Sequence, residues 1–288
     1  MGRENESAQY EYQMLESIKK LTDEKIIKII EKNLFEQIRF YGNSRRARLI
    51  DNKNIIKFLS HIPLPFFNCV IFYDFDYKDL EKQINDFIKY GRSRKTSLLW
   101  LVGPSSKPDN IGALLEENSF KYDDHMISMA VEISDIKSDL KNIDDFQIEL
   151  VDNRKKLERW VHTCLKGFDE NGNNFSSIYD FERSLGYAKT LPWVRFTGIA
   201  DGEAIATSAV FMGSEAAGLD NITTIPDWRK KGIGASMVSH SLKFSQSLGY
   251  NIGVLQASDM GYNLYRELGF KKYYEFKEHI WKYDSKRK

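Results

Sequence analysis

The sequence predicts an α+β fold built as two tandem lobes. Three observations lead there. Residues 222–270 read as strand, basic glycine turn, helix, strand, helix. Ile222, Thr223, Thr224 and Ile225 are β-branched, and Ile233, Met237, Phe244 and Leu248 recur near a 3.6 period after the turn. Asp201-Gly202, between runs at 194–200 and 204–212, is the strongest short hairpin signal in the chain. The third is an internal echo: Leu99-Trp100-Leu101-Val102, with a helix carrying Leu114 and Leu115 before Phe120, parallels Ile252-Gly253-Val254-Leu255 with Leu264 and Tyr265 before Phe270.

In chain order, residues 9–41 read as helical, with Met14, Leu15, Ile18 and Leu21 and then Ile26, Ile27, Ile30, Leu34 and Ile38 at helical spacing; Thr22 and Asp23 divide the run in two. Short strands at 47–50 and 55–59 flank the polar turn 51–54. Pro63 and Pro65 lead into 68–73, apolar enough for a central strand. A helix at 79–90, a strand at 97–102, a helix near 108–118 and a strand at about 126–133 complete the first half. The polar segment 134–145 is the expected boundary. It divides an N-terminal domain at 1–135, a linker at 136–145 and a C-terminal domain at 146–288. The second half opens with a strand at 146–150 and a helix near 154–165. A loop at 167–176, a helix at 178–188 and the hairpin strands follow, then a strand ending at Ile225.

Composition narrows the class. A chain of 288 residues is long enough for two domains, and 42% hydrophobic content supplies cores for both. A net charge of +1 provides no general pull on nucleic acid or an acidic membrane. The two cysteines, Cys69 and Cys164, stand far apart in apolar contexts and read as reduced, buried thiols. The polar first residues do not read as a signal peptide, and no run is long and apolar enough to span a bilayer, so the expected location is the cytoplasm. His61, His125, His162, His240 and His279 show no metal-ligand spacing, so no metal is expected.

The chemistry concentrates in the glycine turn. Gly232 and Gly234 let the backbone approach a ligand closely, and the unpaired N–H groups of a helix start favour an anion. Arg229, Lys230 and Lys231 add positive charge, so a phosphate is the natural guest. The first half has Phe75-Asp76-Tyr77-Lys78-Asp79 at the matching place and Leu115 where the second has Tyr265. One half reads as equipped for chemistry and the other as scaffold, which predicts a single site.

At these residues the chain resembles the GNAT superfamily of N-acetyltransferases, whose signature R/Q-x-x-G-x-G/A is matched by Arg229-Lys230-Lys231-Gly232-Ile233-Gly234. The resemblance covers about 146–283 well, and 47–133 as a degenerate copy, and it implies three layers, α/β/α, around a mixed, largely antiparallel central sheet in each of two tandem GNAT-like lobes. It implies acetyl-CoA as donor, with the coenzyme A pyrophosphate on the backbone of Lys230, Lys231, Gly232, Ile233, Gly234 and Ala235. It also implies pantetheine pairing along Ile222, Thr223 and Thr224, and Tyr265 as the acid for the departing thiolate. The acceptor is then an amine on a small molecule or peptide that attacks directly. Ser258 stands where relatives carry a cofactor-contacting asparagine, and it equally suits capping the next helix. Asp220 and Glu215 are both candidates for general base, provided burial raises the carboxylate pKa. Phe168 and Phe175, in the loop, are candidate acceptor-cleft residues beside Asp169 and Glu170. Two other readings keep the fold: a non-catalytic acyl-CoA-binding module, and a transferase using aminoacyl-tRNA, which the near-neutral charge disfavours.

Overall fold

The computed structural model describes residues 16–137, 145–170, 172–187 and 192–284. The start of the helix expected from residue 9, most of the 136–145 segment and the end of the lysine-rich tail lie outside them. In the first half, α1 (Asp23–Tyr41) begins at Thr22, whose side chain accepts from Lys25 N. Then come β1 (Ala47–Asn52), β2 (Ile55–Ser60), β3 (Cys69–Tyr73), α2 (Tyr77–Arg94), β4 (Leu98–Val102), α3 (Gly112–Glu117) and β5 (Lys121–Glu132). The second half runs β6 (Gln147–Leu150), α4 (Arg154–Gly167), α5 (Phe175–Ser184), β7 (Trp193–Ala200), β8 (Glu203–Met212), β9 (Ala217–Thr224), α6 (Ile233–Ser247), β10 (Ile252–Ala257), α7 (Asp259–Leu268) and β11 (Lys271–Trp281).

All eleven strands share one sheet, ordered β1-β2-β3-β4-β11-β5-β10-β9-β8-β7-β6. Among the described strands only β3/β4 and β9/β10 pair in parallel, at matching places in the two halves. The last strand of each half crosses into the other: β5 lies between β10 and β11, and β11 lies between β4 and β5. Their register is itself symmetric. Tyr122 faces His279 as Lys272 faces Met129, and each pairing is followed by an irregularity. A continuous sheet therefore joins the halves by backbone hydrogen bonds as well as by side-chain packing.

Helices α1, α4 and α5 cover one face in a core that includes Leu34, Ile38, Leu157, Trp160 and Phe181. The opposite face carries α6 and α7 over the second half and α2 and α3 over the first. This is the expected three-layer arrangement.

Several helices differ from the sequence reading; α2, for one, runs Tyr77–Arg94 against the expected 79–90. The helix near 108–118 contracts to α3 because residues just before it pair with β3: Lys107 N donates to Tyr73 O and Phe75 N to Lys107 O. The helix expected at 178–188 starts earlier, at Phe175, and ends at Ser184, before Gly186 at φ +82°. Phe175 is thus a helical residue, stacked between His162 and Tyr179.

Burial in the first half carries an electrostatic cost at Lys57. Lys57, on β2, is buried beside Gln83 and the Phe87 ring, and desolvation lowers its pKa to about 8. The folded state then holds this proton less tightly than the unfolded chain, so the penalty is full below about pH 8 and fades as pH rises toward the ordinary lysine value. Lys57→Met is expected to stabilise the fold at pH 7 by on the order of 2 kcal/mol. The gain should shrink from about pH 8 upward and be largely gone by about pH 10. Thermal melting at both pH values checks it; a lower melting temperature at pH 7 would refute the assignment.

Candidate active site

The site begins where two parallel strands part. β9 and β10 are paired at Ala217–Gly253, Gly218–Val254 and Leu219–Leu255, and the pairing ends there. A bulge on β9 accompanies the parting. Ala209 faces Asp220 and Thr207 faces Thr223, which leaves one extra residue on β9, and Asn221 takes φ +50°. Asp220 supports the turn by accepting Asn221 N on Oδ1 at 2.6 Å. Beyond this point β9 pairs with β8 on one side and faces the opening on the other. The bulge also sorts side chains. Thr223 is buried toward α4, its hydroxyl 2.8 Å from that of Thr207. Ile222 packs with the α6/α7 core, and Thr224 lies near Gly234.

At the far end of the opening, a short 3-10 turn at Pro226–Trp228 leads to the glycine loop. Gly232 is the N-cap of α6 at φ +86°, and a Cβ placed there would meet no atom within 4 Å. Lys230 is also left-handed, at φ +62°. The first backbone bond into the helix runs from Ser236 N to Gly232 O, so the N–H groups of Ile233, Gly234 and Ala235 start the helix without intrahelical acceptors. Lys230 and Lys231 are exposed beside them, with Lys231 4.5 Å from the Trp228 ring centre. Gly234 serves packing: a Cβ there would stand 3.2 Å from Leu264 of α7.

Arg229 has a different task. Its guanidinium donates to Thr224 O at 3.0 Å, Gly167 O at 2.8 Å and Asp169 Oδ2 at 3.0 Å. It ties the end of β9 to the end of α4, and its positive charge is shared with Asp169. Ser258 caps α7 by accepting from Gly261 N. Of the two readings of Ser258, the structure displays the cap.

Two ionisable groups approach the opening from opposite faces of the sheet. From α7 comes Tyr265, buried against Phe270, with ring centres 5.8 Å apart, and against Gly261, where a Cβ would stand 2.8 Å from the ring. Burial, with a contribution from Asp220, pushes its phenol well above the ordinary range, so it holds its proton at neutral pH. From the α1 side comes Asp220. Burial raises its carboxyl above the ordinary aspartate value, against the stabilising hydrogen bonds it accepts. Glu215 behaves oppositely. Lys32 at 2.6 Å and Lys25 at 3.1 Å hold it below the ordinary glutamate value, which makes it an ion-pair partner and a poor base.

Sequence reasoning passed over Gln37 and Tyr41. Both are buried on α1, and Gln37 Nε2 donates to Asp220 Oδ2 at 2.6 Å and to Tyr41 Oη at 2.8 Å. The available signal was a polar residue on the apolar stripe that runs through Ile30, Leu34 and Ile38.

The first half has the same parting of parallel strands, but its own chain fills it. β3 and β4 pair only at Cys69–Leu99 and Val70–Trp100. Beyond them Lys107 bonds to Tyr73 and Phe75, in a parallel bridge at Asp74, and Tyr73 Oη donates to Pro108 O. The helix that follows β3 is also capped against anions: Asp76 accepts Asp79 N, and Asp79 lies in the first turn of α2. α6, by contrast, has a glycine N-cap and no acid in its first turn.

Comparisons with known proteins agree with this geometry. Residues 157–270 match the model of the acetyltransferase (GNAT) family. Among solved structures, a GCN5-related N-acetyltransferase from Kribbella flavida superposes with a TM-score of 0.64 at 14% identity, over 88% of this chain and 94% of that one. A functionally unknown conserved protein from Staphylococcus epidermidis gives 0.64 at 16% identity, over 87% and 97%. A tandem GNAT protein from the clavulanic acid biosynthesis pathway gives 0.58 at 10% identity, over 90% and 94%. At such identities these likenesses establish the fold. No curated protein matches the sequence. Residues 157–270 thus carry an acetyltransferase (GNAT) family domain, and the fold of the chain as a whole is similar to that of a tandem GNAT protein.

Proposed function

We propose that the chain is an acetyl-CoA-dependent N-acetyltransferase that acetylates a primary amine by direct attack, with one active site in the C-terminal half. One observation carries the reading: an uncapped, lysine-flanked helix start and a parted strand edge lie beside a protonated tyrosine and a carboxylate of raised pKa on opposite walls. The residues present fit a coenzyme A thioester. The space beside Gly232 is open, the N–H groups of Ile233, Gly234 and Ala235 suit the pyrophosphate, and β9 from Ile222 to Thr224 has a free edge for an amide-bearing chain. In this reading Arg229 braces the loop, and Ser258 caps α7.

When bound, the thioester supplies an acetyl group whose carbonyl is open to a nucleophile. The residues here supply the proton transfers. Asp220 takes a proton from the incoming ammonium, and its raised pKa makes it a stronger base than an exposed aspartate. Tyr265 donates to the departing sulfur. A phenol lifted by burial would be a poor donor to a thiolate in water, but the same dry surroundings raise thiols as well, as the buried Cys164 thiol shows. The β9 edge beyond the bulge offers backbone N–H donors for the carbonyl oxygen.

The test is thiol release from acetyl-CoA across a panel of polyamines, aminosugars, amino acids and lysine peptides. Release that depends on one amine class is the expected result. Coenzyme A binding without release from any amine would instead make the chain a binding module, and negligible tRNA binding at low salt separates it from an aminoacyl-tRNA transferase.

A further inference from the structure

Helix α1 belongs to the first half of the sequence yet lies along the β8–β9 turn and β9 of the second. Asn33 Nδ2 donates to Ala216 O at 2.8 Å, and its side chain is pressed so closely on β9 that a Cβ at Gly218 would stand 2.0 Å from Asn33 Oδ1. Glu36 accepts from Ser214 N at 2.8 Å and Ser214 Oγ at 2.6 Å, and Lys32 pairs with Glu215. One turn beyond Asn33, on the same side of the helix, Gln37 reaches Asp220.

We infer that Gln37 is a positioning residue, which fixes the orientation of the Asp220 carboxylate from the opposite half of the chain. The inference rests on the reading of Asp220 as the base. Both carboxylate oxygens are held: Oδ1 by Asn221 N and Oδ2 by Gln37 Nε2. Gln37 is locked in turn, because Nε2 also donates to Tyr41 Oη, and the Tyr41 ring packs edge-on against Trp193 at 5.4 Å and Phe181 at 5.5 Å. Tyr41 Oη stands 3.5 Å from Oδ2, and burial keeps that phenol protonated. Every other charged or titratable group bearing on Asp220 is accounted for. Glu182 of α5 is neutralised by Arg195 at 2.6 Å, Cys164 of α4 stays a thiol, and Tyr265 of α7 stays a phenol. An amide is the right group for the task. It is neutral, so it orients the carboxylate without cancelling the charge that accepts the substrate proton, as a lysine or arginine would.

The experiment needs no knowledge of the acceptor. Protein labelled with carboxyl-13C aspartate is titrated by NMR, the Asp220 resonance being assigned by its loss in Asp220→Asn. The Gln37 hydrogen bond favours the ionised carboxylate, so Gln37→Leu is expected to move the Asp220 midpoint upward by about one pH unit. Gln37→Glu, which sets a second carboxyl beside the first, should move it further. Gln37→Asn, too short to reach, should match the leucine variant and serves if that variant folds poorly. Coenzyme A affinity by calorimetry stays unchanged, since the glycine loop is untouched. An unmoved midpoint in a folded variant overturns the positioning role. Failure of the base reading looks different: Asp220→Asn would then keep full acetyl transfer, whatever Gln37 does to the midpoint.

Discussion

Replacing Tyr265 with phenylalanine is expected to slow amine acetylation by about 100-fold or more while leaving coenzyme A affinity unchanged. The substitution keeps the ring that Gly261 and Phe270 hold and removes only the hydroxyl. Because burial keeps this phenol protonated at neutral pH, its loss removes a proton donor and leaves no charge behind. Steady-state kinetics checks the split: kcat falls, the coenzyme A dissociation constant holds. Equal turnover in the two proteins would take Tyr265 out of the chemistry.

Asp220→Asn carries the second large effect, a loss on the order of 100-fold or more in kcat/KM at neutral pH for an amine that is charged in solution. The sign of the pH dependence follows from the direction of the shift. Burial raises this carboxyl, so the wild-type rate climbs with pH through a value above the ordinary aspartate range, where the base loses its proton. The asparagine variant should lose that limb and gain rate only as the free amine itself forms at higher pH. A variant that keeps the wild-type limb would assign the titration to another group.

Much of this was legible in the residues. The strand, glycine turn and helix at 222–248 appear as β9, the loop and α6, because a run of β-branched residues followed by two glycines and a 3.6-period stripe leaves little alternative. The hairpin at Asp201-Gly202 joins β7 to β8, both residues at positive φ, as an aspartate-glycine pair allows. Less visible was whatever depends on pairing across long sequence distances. The crossing of β5 and β11 leaves no local mark, since each strand carries the same pattern whichever neighbour it meets. Arg229 sat in the signature and looked like a phosphate ligand; only the fold brings Gly167 and Asp169 to its guanidinium. Gln37 was hidden for the same reason, its partner lying in the other half of the chain. Asp220 and Glu215 were equivalent as letters. Burial raised one and two lysines lowered the other, and that difference appears only in the fold.

The closed slot of the first half bears directly on how many sites exist. There Lys107 occupies the strand edge that β9 leaves free in the second half, and Asp76 and Asp79 replace the bare glycine start of α6. Both changes oppose a phosphate-bearing ligand, one by filling the space and the other by like charge. The most direct measurement is therefore isothermal titration of the intact chain with coenzyme A. Saturable binding of one coenzyme A per chain is expected, with affinity that weakens as salt rises because the loop lysines contribute. No binding at millimolar coenzyme A, or two equivalents per chain, would contradict it.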